Sequence, residues 1–426
     1  MPKPFDVRPR AASRSLLTAC AFMFATTGFA AAAETLTLPE ALSRAAAYDP
    51  SVPAAAARMR AAEAGVRQAA VRPNPSLGAD LENFAGTGDI GLADRSEATL
   101  YYEQTWERGG KREARVGVAR AELAVARGRA SVRALDLLAE VQAAWVEALA
   151  AQAQIAVAEE RLAVARRLEG EVERRVRAAR DPLFSGERAR TATAQARIDR
   201  DQALAAAEQA RRLLASYWGG GPNLELSAPA METETVSPAA TVADTPDLRL
   251  LAMERDLSQA RIAVERARAV QDPRWRAGLR HFGESNDVAV IIGGSIPLGR
   301  NDTNRGGVER AQAERTAAEA DMVAARIDRQ REVSRLTARR EATLAEVVRN
   351  DAEVAPSAAR AVALVRDGFN RGGGAFTYLE VADAQRAVIE AKARRIELLK
   401  RFHLDGARLD RLTGRHAALL SNAETR

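Results

Sequence analysis

The chain carries the same order of predicted elements twice, and this duplication constrains its fold more than any other feature. Residues 34–218 and residues 246–415 each predict a helix, a break at proline, two short strands, a very long helix, a turn and a return helix. The segment 219–245 opens on three glycines and a proline and is rich in Pro, Ser and Thr, which is typical of a linker. Residues 416–426 form a C-terminal tail.

The first 33 residues predict an export signal that does not belong to the fold. Four basic residues precede an apolar run at residues 15–30, and Ala31-Ala32-Ala33 before Glu34 fits a signal cleavage site. A membrane anchor is the weaker interpretation, because the run is short and ends in small residues. Acylation of Cys20 is also disfavoured, since Cys20 lies too early in the apolar run. We expect the mature chain to begin at Glu34.

Each half contains two short stretches in which apolar residues alternate with polar or small ones, as at Leu77, Ala79 and Leu81. These stretches predict β-hairpins at residues 75–106 and 274–298. Isolated hairpins are marginal in water, and the only other material is long helix. Strands with one apolar and one polar face are what an outer-membrane barrel requires. Four strands cannot enclose a lumen, whereas three copies of the chain would supply twelve.

One face of these strands is polar, and in a barrel it would face the lumen. Both signs of charge occur on it, so we expect a wide lumen that discriminates poorly between solutes. The charged residues expected to line the lumen are Asp80, Glu82, Glu97, Glu103, Arg276 and Arg280.

The rest of the chain predicts long helices. They cover residues 107–180 and 305–370, with return helices at 187–217 and 378–412, and Pro356 must kink or break the second long helix. Only 4% of the residues are aromatic and 28% are charged, which is typical of long helices and unlike an enzyme core. The predicted fold is mainly α with a small β part, built from two internal repeats.

No set of residues predicts catalysis, a cofactor or a metal centre. His281 is expected at a strand end, while His403 and His416 are too far apart in sequence to share a helical turn. No nucleophile has a matching base, so we predict that the protein is not an enzyme. Basic and acidic residues interleave along the chain, so no nucleic-acid partner is expected despite the formal net charge of +6.

Several segments resemble motifs of the TolC-like outer-membrane efflux family, and they are most similar to its heavy-metal branch. The order and spacing of these segments carry the resemblance, which covers nearly the whole mature chain. The segments are residues 35–50; Pro73-Asn74-Pro75 with Leu81-Glu82-Asn83-Phe84; Gln104 with Glu107-Arg108-Gly109-Gly110-Lys111-Arg112; Ser295-Ile296-Pro297-Leu298 with Arg300-Asn301 and Gly306; and Tyr378-Leu379-Glu380-Val381 with Asp383-Ala384-Gln385-Arg386.

The resemblance implies a homotrimer with a twelve-stranded β-barrel in the outer membrane of a Gram-negative bacterium and a long α-helical barrel in the periplasm. It also implies contact with outer-membrane lipid, a periplasmic adaptor protein and an inner-membrane resistance-nodulation-division pump. The implied function is passive conduction of exported solute, above all divalent heavy-metal cations such as cobalt, zinc, cadmium and nickel. A channel for drugs or other organic solutes is one alternative. An exported structural coiled-coil protein is an alternative from another class.

In this family arrangement, the two helical turns far from the barrel are the tips that contact the adaptor. Three acidic residues, Asp181, Asp367 and Asp383, lie at or near the expected constriction, where threefold rings would concentrate negative charge; ordinary helix-end charges are the alternative. The glycine-rich second tip is expected to move as a gate, while Asp181-Pro182 keeps the first tip rigid. The expected contact residues are Arg180, Asp181, Leu183, Ser185 and Gly186 in the first tip and Arg371, Gly372, Gly373 and Thr377 in the second.

Overall fold

The computed structural model describes residues 34–48, 51–87, 95–227, 231–232, 244–299, 301–371, 377–417 and 419. The predicted export signal, including Cys20, lies outside these ranges, as do Gly372, Gly373 and much of the predicted linker and tail. Within these ranges the chain is mostly helical. None of the helices described there is both long and apolar enough to span a membrane.

The two halves follow the same order of elements, which confirms the predicted repeats. The first half contains β1 (Glu34–Leu36), α1 (Leu38–Tyr48), α2 (Ser51–Ala69), β2 (Ser76–Glu82), β3 (Glu97–Thr105), α3 (Lys111–Arg177), α4 (Leu183–Ser216) and β4 (Leu224–Leu226). The second half contains α5 (Pro246–Arg268), β5 (Arg274–Phe282), β6 (Val288–Ser295), α6 (Arg305–Arg349), α7 (Ala355–Arg371) and α8 (Tyr378–Thr413). A π-helical turn, Asn350–Val354, joins α6 to α7.

Prolines lie at two places where the helices differ from the sequence prediction. The sequence predicts one helix over residues 39–71, whereas the structure has α1 and α2, with residues 49–50 between them outside the described ranges. Pro53 lies in the first turn of α2, where its missing N–H has no helical partner to lose. Pro356 does not break the second long helix, because the π-helical turn just before it absorbs the misfit and the helix continues as α7.

A second, very small sheet is not predicted by the sequence. β1 and β4 pair in parallel with Leu36 opposite Leu226, so a strand from the predicted linker holds the start of the described chain. Both leucines are buried in the main core beside Trp145 and Leu214. Gln152 on α3 fixes β4, since its Nε2 donates to the Leu226 carbonyl oxygen at 3.2 Å and its Oε1 accepts from the Leu226 N–H at 3.3 Å.

Near the end of α8, Arg411 ties the two halves together. Its Nε lies 2.7 Å from Asp136 on α3, and its terminal nitrogens lie 2.7 and 2.9 Å from the carboxylate of Asp247 at the start of α5. Arg329 on α6 reaches the same carboxylate at 3.2 Å. Burial alone would raise the pKa of Asp247, but the hydrogen bonds and charges of the two arginines outweigh it, and the pKa lies below its usual value.

We expect Asp247→Asn to destabilise the fold, because it leaves Arg411 and Arg329 without their shared carboxylate. The cost should be about 1.5–3 kcal/mol at neutral pH, the usual range for hydrogen bonds to charged groups. Since the folded-state pKa is lowered, this stabilisation is complete above about pH 4 and is lost as the pH falls through the folded-state pKa. Thermal unfolding followed by circular dichroism should therefore separate wild type from variant at pH 7 and less so at pH 3.

Asp328→Asn is the matched control for this measurement. Asp328 pairs with Arg331 on the surface, where the two side chains are 72% and 75% exposed, and such pairs contribute little to stability. Equal losses of stability in the two variants would contradict the assigned role of Asp247.

Candidate functional site

The four longest strands form one antiparallel sheet with the order β2-β3-β5-β6, so the two predicted hairpins are joined through β3 and β5. The register places Thr99 opposite both Asp80 and Arg280, and it places Glu103 opposite Arg276. The six charged residues predicted to share a face therefore do so, while their position in a lumen stays a prediction. They are Asp80, Glu82, Glu97, Glu103, Arg276 and Arg280.

Arg280 gathers acidic residues at one end of this polar face. Its Nη2 lies 2.9 Å from Glu82 and its Nη1 lies 2.7 Å from Glu97. Its Nε donates to the Thr99 hydroxyl at 2.9 Å. One cation thus faces two carboxylates, and the cluster keeps a net negative charge.

Tyr101 covers the middle of the polar face. A Cβ added to Gly78 would lie 2.5 Å from the Tyr101 ring, and one added to Gly278 would lie 2.7 Å from the Tyr101 Cβ. Gly78 therefore makes room for the ring, whereas Gly278 makes room for the backbone of β3, since its added Cβ would also lie 2.4 Å from the Leu100 carbonyl oxygen. The Arg276 guanidinium stands over the same ring, 5.5 Å from its centroid, as a cation–π contact.

The opposite face of the sheet exposes large apolar side chains. Leu77, Val290 and Ile292 are 73%, 73% and 82% exposed. At the end nearest the long helices, the rings of Tyr102 and Trp275 lie 5.6 Å apart on this same face. A contiguous exposed apolar face marks a surface that is covered by another apolar phase or partner.

The two edge strands leave the sheet open. Among the described strands, β2 pairs only with β3 and β6 pairs only with β5. Each edge therefore presents a row of backbone N–H and C=O groups that can pair with a further strand.

The turn from β3 into α3 is fixed by residues from the other half of the chain. Gly109 has a φ of 69°, and an added Cβ would come within 2.6 Å of Val270. Asp272, just before β5, accepts a hydrogen bond from the Arg108 N–H at 2.9 Å and pairs with Lys111 Nζ at 2.6 Å. These contacts fix the direction in which α3 leaves the sheet.

At the far end of the long helices, Arg175 joins the two predicted tips. Its Nε and Nη2 lie 2.9 and 3.1 Å from the two carboxylate oxygens of Asp181, in the turn between α3 and α4. Its Nη1 donates to the Phe369 carbonyl oxygen at 3.2 Å, and its guanidinium lies 4.1 Å from the centroid of the Phe369 ring. The first tip and the end of α7 are therefore linked, a coupling that the sequence does not reveal.

The remaining residues predicted at the first tip divide between surface and core. Arg180 is exposed and Leu183 is 81% exposed, whereas Ser185 and Gly186 are buried in the first turn of α4. The sequence predicts that the return helix begins at residue 187, but α4 already begins at Leu183 with Pro182 as its N-cap, so the first turn is shorter than predicted.

At the second tip, Thr377 forms a capping box at the start of α8. Its N–H and its hydroxyl donate to a carboxylate oxygen of Glu380 at 2.5 and 2.9 Å, and its side chain accepts from the Glu380 N–H. These bonds hold the pKa of Glu380 below its usual value. Arg371 is the last residue of α7, while Gly372 and Gly373 lie outside the described residues.

The three acidic residues predicted near a constriction have different surroundings. The charge of Asp181 is balanced by Arg175. Asp367 is exposed on α7, and Asp383 is 76% exposed and lies 3.1 Å from Arg386. Their role in a constriction stays a prediction.

The histidines have separate structural surroundings. Burial lowers the pKa of His403, whose Nε2 donates to the Met231 carbonyl oxygen at 3.0 Å. Burial also lowers the pKa of His416, and His281 lies 2.8 Å from Asn286. Within the described ranges, no three His, Cys, Asp or Glu side chains are grouped so that they could hold a metal ion.

The sequence motifs predict a sheet with one apolar and one polar face, joined to two repeats of very long helices, and the structure has this arrangement. Comparison with known families shows which family the chain belongs to. A family model described as "Outer membrane efflux protein" matches residues 41–220 and 240–415. The chain belongs to the outer membrane efflux protein family. The apolar and polar faces of the sheet are thus those of an outer-membrane efflux protein.

Individual relatives extend this result. The efflux protein is 29% identical to the cobalt-zinc-cadmium resistance protein CzcC of Cupriavidus metallidurans, over 90% of this chain and 91% of that protein. It is 32% identical to the nickel-cobalt-cadmium resistance protein NccC of Alcaligenes xylosoxydans xylosoxydans, over 76% of each chain. Its fold is similar to that of the outer membrane protein VceC of Vibrio cholerae, with a TM-score of 0.71 at 21% identity over 88% of this chain and 96% of that one.

We expect Arg175→Met to loosen both tips of the efflux protein, because one side chain supplies the bonds to Asp181 and to Phe369. Amide hydrogen exchange should become at least about ten-fold faster at the α3–α4 turn and at the end of α7, given the usual strength of charged hydrogen bonds. The control is Arg190→Met, whose 55% exposed side chain pairs with Glu173 and Glu187 on the surface. Faster exchange at only one tip would contradict the coupling.

Proposed function

We propose that this efflux protein is the outer-membrane channel of a tripartite efflux system and that it passively conducts divalent heavy-metal cations. The four-stranded sheet carries this proposal, because it has one exposed apolar face, one charged face and two open edges. In a single copy, the apolar face is exposed and the two edge strands lack a pairing strand on one side. An assembly that pairs the edges in a ring turns the apolar face towards lipid and the charged face towards a lumen.

The edges β2 and β6 are the first and last strands of the sheet. Pairing β2 of one copy with β6 of the next makes a head-to-tail contact, which closes into a ring when the rotation allows it. Three copies of four strands make a twelve-stranded barrel, within the range of outer-membrane barrels. We therefore propose a homotrimer.

The helices favour the same closure. α4 packs on α3, α3 packs on α8, and α8 packs on α7, so α4 and α7 are the outer helices of this layer. Both carry exposed apolar residues: Ile198 and Leu213 on α4 are 50% and 57% exposed, and Leu364 on α7 is 71% exposed. Pairing α4 of one copy with α7 of the next would cover these residues and continue the strand barrel as a helical barrel.

The proposed cargo follows from two relatives that match 90% and 76% of this chain. CzcC and NccC are named for resistance to cobalt, zinc, cadmium and nickel. The polar face offers charges of both signs to a passing ion, as at Arg280 with Glu82 and Glu97. Such a lumen conducts without strong selection, and we assign the choice of cargo to a resistance-nodulation-division pump in the inner membrane.

The tips provide the surface for the remaining partner. Arg180, Leu183 and Phe184 are exposed at the first tip, and Leu183 and Phe184 are 81% and 62% exposed. Exposed apolar residues beside a cation are suited to binding another protein, and we propose a periplasmic adaptor there.

The function is tested with a deletion strain and the purified protein. The strain should grow poorly on cobalt, zinc, cadmium or nickel and recover when the gene is restored, and the protein should form trimers that conduct in a planar bilayer. Normal growth on these metals with lost resistance to organic compounds would instead identify a drug channel. A monomer without conductance would favour the structural coiled-coil alternative.

We expect Arg280→Gln to make the pore more selective for cations, because Glu82 and Glu97 lose their counter-charge at the same level of all three copies. The reversal potential in a potassium chloride gradient should shift towards that of potassium. Arg274→Gln is the control, since Arg274 is 61% exposed and lies 3.9 Å from Glu103, and its shift should be smaller. Unchanged reversal potentials in both variants would place this face outside the lumen.

A further inference from the structure

A cavity of about 690 Å³ opens where the first strand pair meets α3. Its walls are the loop at residues 71–75, the last residues of β3, the first residues of β5, and the first turn of α3. Gln104 shapes it, since its Nε2 donates to the Pro73 carbonyl oxygen at 3.0 Å and its Oε1 accepts from the Tyr102 hydroxyl at 3.2 Å. We call this cavity the rim groove.

One side of the rim groove is aromatic and continuous with the apolar face of the sheet. Tyr102 and Trp275 lie on that face, 5.6 Å apart, and are 40% and 45% exposed. Trp106, just beyond β3, is 66% exposed and also lines the groove. Tyrosine and tryptophan with this exposure are typical of the boundary between acyl chains and headgroups.

The other side of the groove carries charges, some of which are already paired. Lys111 Nζ lies 2.6 Å from Asp272, and Glu107 is held by Arg115. These two pairs have their partners within the chain and leave no net charge for a ligand.

The remaining charges give the rim groove a positive balance. Arg112 lies 3.2 Å from Glu113, but the Arg112 side chain is only half-buried and that of Glu113 is 69% exposed, so water screens the pair. Arg72 is exposed in the loop at 71–75 and makes no ion pair with any described residue. Two guanidinium groups and one carboxylate thus face a bound molecule.

We propose that the rim groove binds the phosphate of an anionic phospholipid in the periplasmic leaflet of the outer membrane. This rests on the proposed function, which places the apolar face in lipid and the long helices in the periplasm. Arg72 and Arg112 bind the phosphodiester, while Tyr102, Trp106 and Trp275 contact the glycerol and the upper acyl chains. Guanidinium groups suit phosphate oxygens, and the aromatic wall favours a lipid over free phosphate.

The test is native mass spectrometry of the full-length protein in detergent, titrated with phosphatidylglycerol or phosphatidylcholine. The wild type should retain phosphatidylglycerol more tightly than phosphatidylcholine. Arg72→Gln and Arg112→Gln should each weaken phosphatidylglycerol binding by about five-fold, the usual contribution of one basic residue at an anionic surface. Arg120→Gln is the matched control, because Arg120 is exposed further along α3 and outside the groove.

Equal affinities in the control and in both groove variants would overturn the proposal, as would displacement of the lipid by inorganic phosphate at equal concentration. Arg72→Gln removes a side chain that has no ion pair among the described residues, so it should leave folding intact. A second measurement separates this proposal from the proposed function. Lipids brominated on their acyl chains should quench tryptophan fluorescence in vesicles if the sheet is inserted. Absence of quenching would refute the membrane barrel. Quenching together with unchanged phosphatidylglycerol affinity in the two groove variants would refute only lipid binding in the rim groove.

Discussion

The pairing of β3 with β5 is the interaction on which the rest of this structure depends. It runs from Glu97–Phe282 to Thr105–Arg274 and joins strands from the two repeats along their whole length. Separate hairpins would be marginal, but one four-stranded sheet fixes two continuous faces. The same pairing brings Asp272 to the start of α3, where its bonds to Arg108 and Lys111 fix the position of this helix relative to the sheet.

Local sequence patterns were enough to predict the long helices, the strands of the larger sheet and the two faces of that sheet. They did not predict contacts between residues that are far apart in the sequence. Period-two alternation depends only on neighbouring residues, so Asp80, Glu82 and Arg280 could be assigned to one face before any pairing was known. The parallel pair of β1 and β4 is three residues long, too short for any period to show. The contact of Arg175 with Phe369 joins residues far apart in sequence, and neither has a local pattern that indicates the other.

Several charged residues of the efflux protein lie in small groups that contain both signs of charge. Asp247 is shared by Arg411 and Arg329, Arg280 faces two glutamates, and Asp181 is held by Arg175. The Asp247 and Arg280 groups each link different helices or strands, and Arg175 links Asp181 to the end of α7. In the proposed lumen, the Arg280 group would present both signs of charge to a passing cation, so it would not form a strong site that retains the cargo.

The π-helical turn before α7 sets the rotational phase of the second tip. One extra residue in the turn rotates every later side chain by about 100° around the helix axis. Asn350 holds the turn in place, since its Nδ2 donates to the Ala391 carbonyl oxygen on α8 at 3.3 Å. Loss of one residue there would swing Phe369 away from Arg175 while the strands above kept their pairing. A change of one residue in length can therefore reorient the tip end of the molecule without disturbing the four-stranded sheet at its other end.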